Sequence, residues 1–461
     1  MALIKSISGI RGTIGNIPGE NLTPLDVVKF TAAYATFMLP HSKSKKIVIG
    51  RDGRMSGDMV SKLCAQTLIS MGFNVVDLGI TTTPTVEIAV TSEKADGGII
   101  LTASHNPKEW NALKLLNDKG EFIDAEAGQA ILDIAMKEEF VFASVDQLGR
   151  YTSDSSYLQK HIEAILNYPL VDKEAIAGKN FNIVVDGINS SGSLYVPELL
   201  KALGVANIHV INEDITGNFA HNPEPLPQHL TELSKEVVSR KAHLGIAVDP
   251  DVDRLCFVNE DGKLFGEEYT LVAVADYILS QRKGNTVSNM SSTKSLKELT
   301  LSKGGTYYPS AVGEVNVVKK MKEVKAVIGG EGNGGIIVPD FHYGRDALIG
   351  IGLFLTHLAR SGKSMSQLRA QYPDYYISKN KAELNPATDV KALLSKLTEK
   401  YKNNPVNTED GLKIEFGDDW VHVRASNTEP ILRIYSESSF QTTAENIANR
   451  IIRDIHEIST Q

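Results

Sequence analysis

Residues 46–79 read KIVIGRDGRMSG, DMVSKLCAQTLISMG, FNVVDLG: an apolar β-rich run, a polar loop, a helical stretch and a second apolar run. Val60, Leu63, Cys64, Thr67 and Leu68 recur at the spacing of one helix face, the mark of an amphipathic helix between two strands. Gly72 closes the helix, where a residue without Cβ takes the left-handed conformation at little cost. The same pattern returns in residues 181–212 (FNIVVDGINSSG, SLYVPELLKALG and, after Val205, ANIHVIN) and 285–313 (NTVSNMSST, KSLKELTLSKGG, TYYPSAVG), with Gly204 and Gly304 at the helix stops. Any α/β chain yields some look-alikes, but duplication is the preferred reading. The expectation is α/β architecture with three similar α/β domains. After Gly362 the texture changes: Pro373, Pro386 and Pro405 punctuate it, and WVHVRASNTEPILRIYSES leads into the helical TTAENIANRIIRDIHEI. A smaller C-terminal α+β domain is expected there, with linkers near residues 150–155, 255–260 and 365–372.

At 461 residues the chain is too long for one core, so several domains are required. Its formal net charge of −8 comes without a dense Lys/Arg block, since residues 43–46 read as a solvated loop. Nucleic-acid binding is therefore disfavoured. Cys64 and Cys256 lie in apolar patterns and read as small buried hydrophobes. MALIKSISGIRG has no apolar signal core, and no stretch approaches the ~20 apolar residues of a membrane span. No membrane association and a cytoplasmic location are expected.

Chemistry concentrates in four loops. GGIILTASHNP (residues 97–107) runs from a buried strand into a turn ended by Pro107, presenting Ser104 and His105 at a strand end, the usual ligand-binding edge of an α/β sheet. A Ser–His pair in a turn is often only turn chemistry, and no G-x-S-x-G elbow is present. Trp110, Asn111 and Lys114 add an amide and a cation nearby; Lys114 could shield phosphate charge or carry a proton, or be a solvated lysine. LGIAVDPDVDRLCFVNEDG (residues 244–262) places Asp249, Asp251 and Asp253 at alternate positions between apolar runs. Three converging carboxylates repel unless a cation lies among them, and oxygen ligands select Mg²⁺ first. An EF-hand is rejected: Arg254 stands at its glycine position, Pro250 stiffens the loop, and strands flank it. A structural Asp-rich turn stays open. IGGEGNGGIIVP (residues 328–339) packs five glycines around Glu331 and Asn333, suited to paired sugar hydroxyls, without the spacing of a nucleotide loop. RASNTEP (residues 424–430) offers Arg424, Ser426, Asn427 and Thr428, a phosphate-binding set, though such a turn alone is weak evidence.

In their order and spacing, TASHNP, DPDVDR, the Glu331 loop and RASNTEP resemble the α-D-phosphohexomutases over essentially the whole chain, beginning at SGIRG (residues 8–12). The resemblance implies four domains around a central cleft: 1–153 with a phosphoserine loop, 154–256 with a metal loop, 257–368 with a sugar-binding loop, and 369–461 with a phosphate-binding loop. It further implies that Ser104 is the phosphoserine and that Asp249, Asp251 and Asp253 bind one Mg²⁺ together with its phosphoryl oxygen. Arg11 and Arg254 would neutralise the transferring phosphate, and His105 and Lys114 would stand beside the reacting oxygens. Glu331 and Asn333 would hold sugar hydroxyls; Arg424, Ser426, Asn427 and Thr428 would hold the phosphate that does not react. Two departures stand out: Asn333-Gly334-Gly335 replaces the Ser-Gly-His of many relatives, and SNMSSTK (residues 288–294) has Ser291 where some hexose enzymes have lysine. Both are similar to the archaeal-type branch. The implied activity interconverts hexose 6-phosphate and 1-phosphate through a 1,6-bisphosphate, which also serves as activator. Phosphoglucosamine mutase is the first expectation and phosphoglucomutase/phosphomannomutase the alternative, acting on small sugar phosphates as a monomer or homodimer. A phosphatase using the same serine and metal, and a silent sugar-phosphate sensor, are the competing classes.

Overall fold

The computed structural model describes residues 3–6, 9–385, 388–426 and 431–459. In each repeat the two apolar runs are parallel neighbours: Lys46–Arg51 with Asn74–Ile80, Asn182–Asp186 with Asn207–Ile211, and Asn285–Asn289 with Tyr307–Ser310. Parallel strands need a crossover, supplied by the helices Gly57–Ser70, Gly192–Ala202 and Ser295–Ser302. Gly72, Gly204 and Gly304 all have positive φ just past these helices, so the helix stops read from sequence are present.

On the other side of each first strand lies a third parallel strand: Gly97–Leu101, Leu244–Val248 and Ala326–Glu331. Each turns back into an antiparallel partner: Trp110–Leu116, Leu255–Asn259 and Gly335–Ile337. The same four-strand order therefore occurs three times, the arrangement duplication leads one to expect. The first sheet is extended to seven strands by Ile4–Ser6 and Gly9–Thr13 at one edge and Tyr151–Ser153 at the other. The chain is thus three α/β domains followed by a C-terminal domain built on a five-stranded antiparallel sheet. On that sheet lies the helix Gln441–Ser459, whose Ala444, Ala448, Ile451 and Ile455 are buried at helical spacing.

The apolar run at residues 255–258, near which a linker was expected, is core. Its strand Leu255–Asn259 pairs along its whole length with Leu244–Val248, so the expected division at 256/257 passes through a strand of the second sheet. The second and third sheets each keep a smaller cluster on one face, while their other faces share one continuous core cluster. The helix Ala347–Ser361, buried on nearly every face, runs through it, and Phe354 stacks on Phe257 with ring centroids 3.9 Å apart. The C-terminal domain keeps a separate core, and of the first domain's two clusters one takes in Tyr157 from the helix Tyr157–Leu166. Among the described residues, no helix is long and apolar enough to cross a membrane.

Candidate active site

Three of the four loops singled out above occupy the same place in their sheets. Residues 102–109, 249–254 and 332–334 each leave the C-terminal end of the third parallel strand and enter its antiparallel partner. Repetition of the fold thus repeats the loop, and packing brings the three copies together.

In the first loop Ser104 adopts φ 48° and is 3 % exposed; a non-glycine residue in the left-handed region must be held there by its surroundings. The holding group is Arg54, which sequence reasoning passed over. Its Nη2 donates to the carbonyls of Ser104 and Asn106, its Nη1 to those of Pro107 and Trp110, and its Nε to Asp52 at 3.0 Å. Asp52 also accepts from Thr102 at 2.6 Å, and both Asp52 and Arg54 are buried. The only trace in the sequence is RDGR at the end of the first repeat strand, at the ligand-binding edge of the sheet. Arg11, on the strand Gly9–Thr13, donates to the side chain of Asn106 at 2.7 Å.

From the second loop Asp249 comes to Ser104, whose hydroxyl donates to Asp249 Oδ2 at 2.6 Å. The other Asp249 oxygen accepts from the backbone N–H groups of Asp253 and Arg254. Lys114 donates to Asp251 Oδ2 at 2.7 Å and reaches Asp253 Oδ2 at 3.5 Å. Arg254 Nε lies 4.0 Å from Asp249 Oδ2. His105 Nδ1 lies 3.3 Å from the Ser104 hydroxyl. Burial, reinforced by Arg254 and Arg11, holds this histidine well below its ordinary value, so it is neutral at pH 7. Burial, then Asp253 and Asp251, pushes Asp249 well up; burial would raise Asp251 too, but Lys114 together with the hydrogen bond from Thr83 holds that carboxyl low. Burial disfavours the Lys114 ammonium, yet Asp251 and Asp253 keep it above its usual value.

Each of the three aspartates offers an oxygen within 4.8 Å of the others. Lys114 and Arg345 engage the Oδ2 atoms of Asp251 and Asp253, while both Oδ1 atoms are buried without a hydrogen-bond partner. Orphaned carboxylate oxygens are costly, and an all-oxygen set of three fits a hard divalent cation such as Mg²⁺. Val252, in the middle of this loop, has φ 62°, an unusual value for a β-branched residue.

In the third loop Glu331 accepts from the side chain of Asn289, the N–H of Gly313 and Arg345 Nη1, at 2.9, 3.1 and 2.9 Å. Burial would raise its pKa, but Arg345 foremost holds it below the ordinary value. Asn333 turns its side-chain oxygen to the N–H of Gly335 at 3.2 Å. Arg424 of the C-terminal domain pairs with Asp410 at 3.5 Å, and Asp410 in turn accepts from the N–H of Val312, next to Gly313. Ser426 donates its N–H to Ile431. Asn427 and Thr428 lie outside the described residues. Ser104, His105, Lys114, Arg11, Arg254 and the three aspartates thus form one cluster. Glu331 joins it through Arg345, and Arg424 reaches the turn at Val312 and Gly313 through Asp410.

Comparison with known proteins finds the same succession of four domains along nearly the whole chain. The phosphoglucomutase/phosphomannomutase alpha/beta/alpha domains I, II and III match residues 4–142, 159–262 and 266–376, and the C-terminal domain of that family matches residues 379–454. A phosphoglucomutase/phosphomannomutase of Thermococcus kodakarensis is 36% identical over 441 residues, covering 95% of this chain and 94% of its own. A phosphoglucosamine/phosphogalactosamine mutase of Sulfurisphaera tokodaii is 33% identical over 458 residues, 98% of both chains. Among solved structures, a phosphoglucomutase/phosphomannomutase family protein of Burkholderia thailandensis superposes with a TM-score of 0.84 at 26% identity, over 99% of this chain and 98% of that one. The chain belongs to the phosphoglucomutase/phosphomannomutase family, and it is a phosphohexomutase.

Proposed function

We propose that this phosphohexomutase works through a phosphoserine at Ser104 and a hexose 1,6-bisphosphate, with glucosamine phosphate as its sugar. The observation that carries the serine's role is the 2.6 Å hydrogen bond from the Ser104 hydroxyl to Asp249, at the edge of a carboxylate cluster with orphaned oxygens. A Mg²⁺ ion held by Asp249, Asp251 and Asp253 would supply charge neutralisation at the transferring phosphoryl group. Arg254 and Arg11 add positive charge on the same side. Lys114, kept protonated by Asp251 and Asp253, can donate a hydrogen bond to a phosphoryl oxygen, while neutral His105 can accept a proton from the attacking sugar hydroxyl. Arg54 keeps the serine's backbone in its left-handed pose, so the protein's part is chiefly positioning.

Glu331 and Asn333 suit sugar hydroxyls, and Arg424, Ser426, Asn427 and Thr428 suit the phosphate that does not react. The bisphosphate must bind in two orientations, so these contacts have to accept either end. For the sugar, Glu331 is held ionised at the loop, and a carboxylate there suits a protonated C2 amine. The relative from Sulfurisphaera tokodaii supports an amino sugar; that from Thermococcus kodakarensis supports glucose or mannose phosphates, the second reading. The test compares rates on glucosamine 6-phosphate, glucose 1-phosphate and mannose 1-phosphate, with Mg²⁺ and glucose 1,6-bisphosphate present. Fastest turnover of glucosamine 6-phosphate is expected, and a faster neutral sugar would replace it. Ser104→Ala should lose on the order of 10⁴-fold or more in rate, and a variant that retained turnover would sink the phosphoserine scheme.

A further inference from the structure

Arg345 precedes the helix Ala347–Ser361 and is 9 % exposed. Its Nη2 donates to Asp253 at 2.7 Å, its Nη1 to Glu331 at 2.9 Å, and its Nε to Glu314 at 3.0 Å. Its backbone N–H reaches the other oxygen of Glu314, also at 3.0 Å. One planar guanidinium therefore joins the carboxylate loop of the second domain to the glycine loop and helix start of the third. A lysine, with one nitrogen on a flexible stem, cannot fill three such positions at once.

We propose that Arg345 is a positioning residue for phosphoryl transfer, locking the metal-binding and sugar-binding loops into one relative geometry. This rests on the roles proposed above for Asp253 and Glu331. Arg345 engages Asp253 Oδ2 and thereby decides which oxygen, the orphaned Oδ1, is left for the cation. The same fork holds one oxygen of Glu331, so a shift of either loop is felt by the other. Its charge is fixed, because a guanidinium does not deprotonate in proteins.

Room for this side chain comes from Gly335. A Cβ there would stand 2.4 Å from Arg345 Cδ and 3.1 Å from Cγ, so the stem of Arg345 occupies the space of the missing side chain. The sequence departure at Asn333-Gly334-Gly335 thus has a physical counterpart. The backbone is pinned alongside: Arg345 bridges to Ile337, and Asp346 donates its N–H to Ile336. Stability alone is a poor reason for such an arrangement, since buried ion networks seldom out-stabilise well-packed apolar residues.

The experiment uses Arg345→Lys, Arg345→Met and Gly335→Ala in the full-length protein. Arg345→Lys and Gly335→Ala should each lower kcat/KM roughly tenfold or more, because the loops lose registration while charge is kept. The double variant should lose no more than the worse single one, as expected when both changes act on one interaction. Mg²⁺ titrated by calorimetry gives a readout without turnover. Arg345→Met, which removes a cation from beside Asp253, should bind Mg²⁺ about threefold tighter or more, and Arg345→Lys should stay within about twofold of the parent. A role in stability only would lower the melting temperature of each variant while kcat/KM per folded molecule stayed at the parent's value. Wild-type turnover in Arg345→Lys or Gly335→Ala, additive losses, or unchanged or weakened Mg²⁺ binding in Arg345→Met would each overturn the proposal. If Arg345→Met does not fold, the other two variants and their double decide it. If the parent protein interconverts no hexose phosphate, the proposed function fails and the positioning role falls with it, whereas a parent that turns over together with unimpaired Arg345→Lys and Gly335→Ala variants overturns the positioning role alone.

Discussion

Arg54 turns a turn into a site. Four main-chain carbonyls of residues 104–110 point at its guanidinium, and Asp52 takes the remaining donor. With the N–H bond of Ser104 to Thr102, these contacts hold Ser104 at φ 48°. Replacing Arg54 by Met leaves Asp52 buried with only Thr102 and backbone for company and strips the four carbonyls of their donor. The expected cost is about 3–5 kcal/mol, seen as a lowered melting temperature, together with loss of turnover greater than the drop in folded fraction accounts for. A variant that melts and turns over like the parent would show that the loop holds itself.

At the scale of elements, the repeated unit owes its boundaries to local chemistry. Gly204 follows the helix Gly192–Ala202 at φ 82°, and a Cβ added there would stand 2.7 Å from that of Ala177. Gly304 has φ 72° but only the end of Lys283 nearby, at 3.4 Å. Alanine at either site pays the left-handed conformation, roughly 1 kcal/mol, and at Gly204 it also meets packed neighbours. Gly204→Ala should therefore lower the denaturation midpoint more than Gly304→Ala; the reverse order would contradict the steric account. Both stops were legible as sequence because a helix C-terminus is decided within a few residues.

For the whole molecule, three domains meet at one polar junction. Glu87 comes from the helix Thr83–Ser92 of the first domain, His161 from the helix Tyr157–Leu166 of the second, and His342 and Asp346 from the third. Asp346 accepts from His161 at 2.9 Å and from His342 at 3.1 Å, and it caps the helix Ala347–Ser361. Glu87 Oε2 lies 3.4 Å from His342 Nδ1, near enough for charge attraction but not aligned as a hydrogen bond. Burial alone would lower His342, but Asp346 and Glu87 raise it from 6.5 to about 10. The folded chain then holds a proton that the unfolded chain has released. This contribution to stability is complete below pH 6.5 and is lost as pH rises through about 10. Thermal stability should fall between those limits, by at most about 1.4 kcal/mol per pH unit from this group. His342→Gln should flatten the slope, and a variant with an unchanged pH profile would remove His342 as its source.

What the sequence determined by itself was whatever depends on neighbours along the chain. The alternation of strand, loop and helix, the glycine stops, the Ser104 turn ended by Pro107 and the alternating aspartates are all short-range patterns, and each could be read before any folding. Arg54, Glu314 and Arg345 gave no such signal, because nothing in RDGR, VGEV or YGRD says which distant carbonyl or carboxylate each will meet. Arg345 lies 92 positions from Asp253, and Arg54 lies 50 from Ser104. The sharing of one core cluster by the second and third sheets, too, depended on where the helix Ala347–Ser361 packs. Only tertiary structure decides such things, since a guanidinium or an apolar helix finds its partners by distance in space, and sequence records distance along the chain.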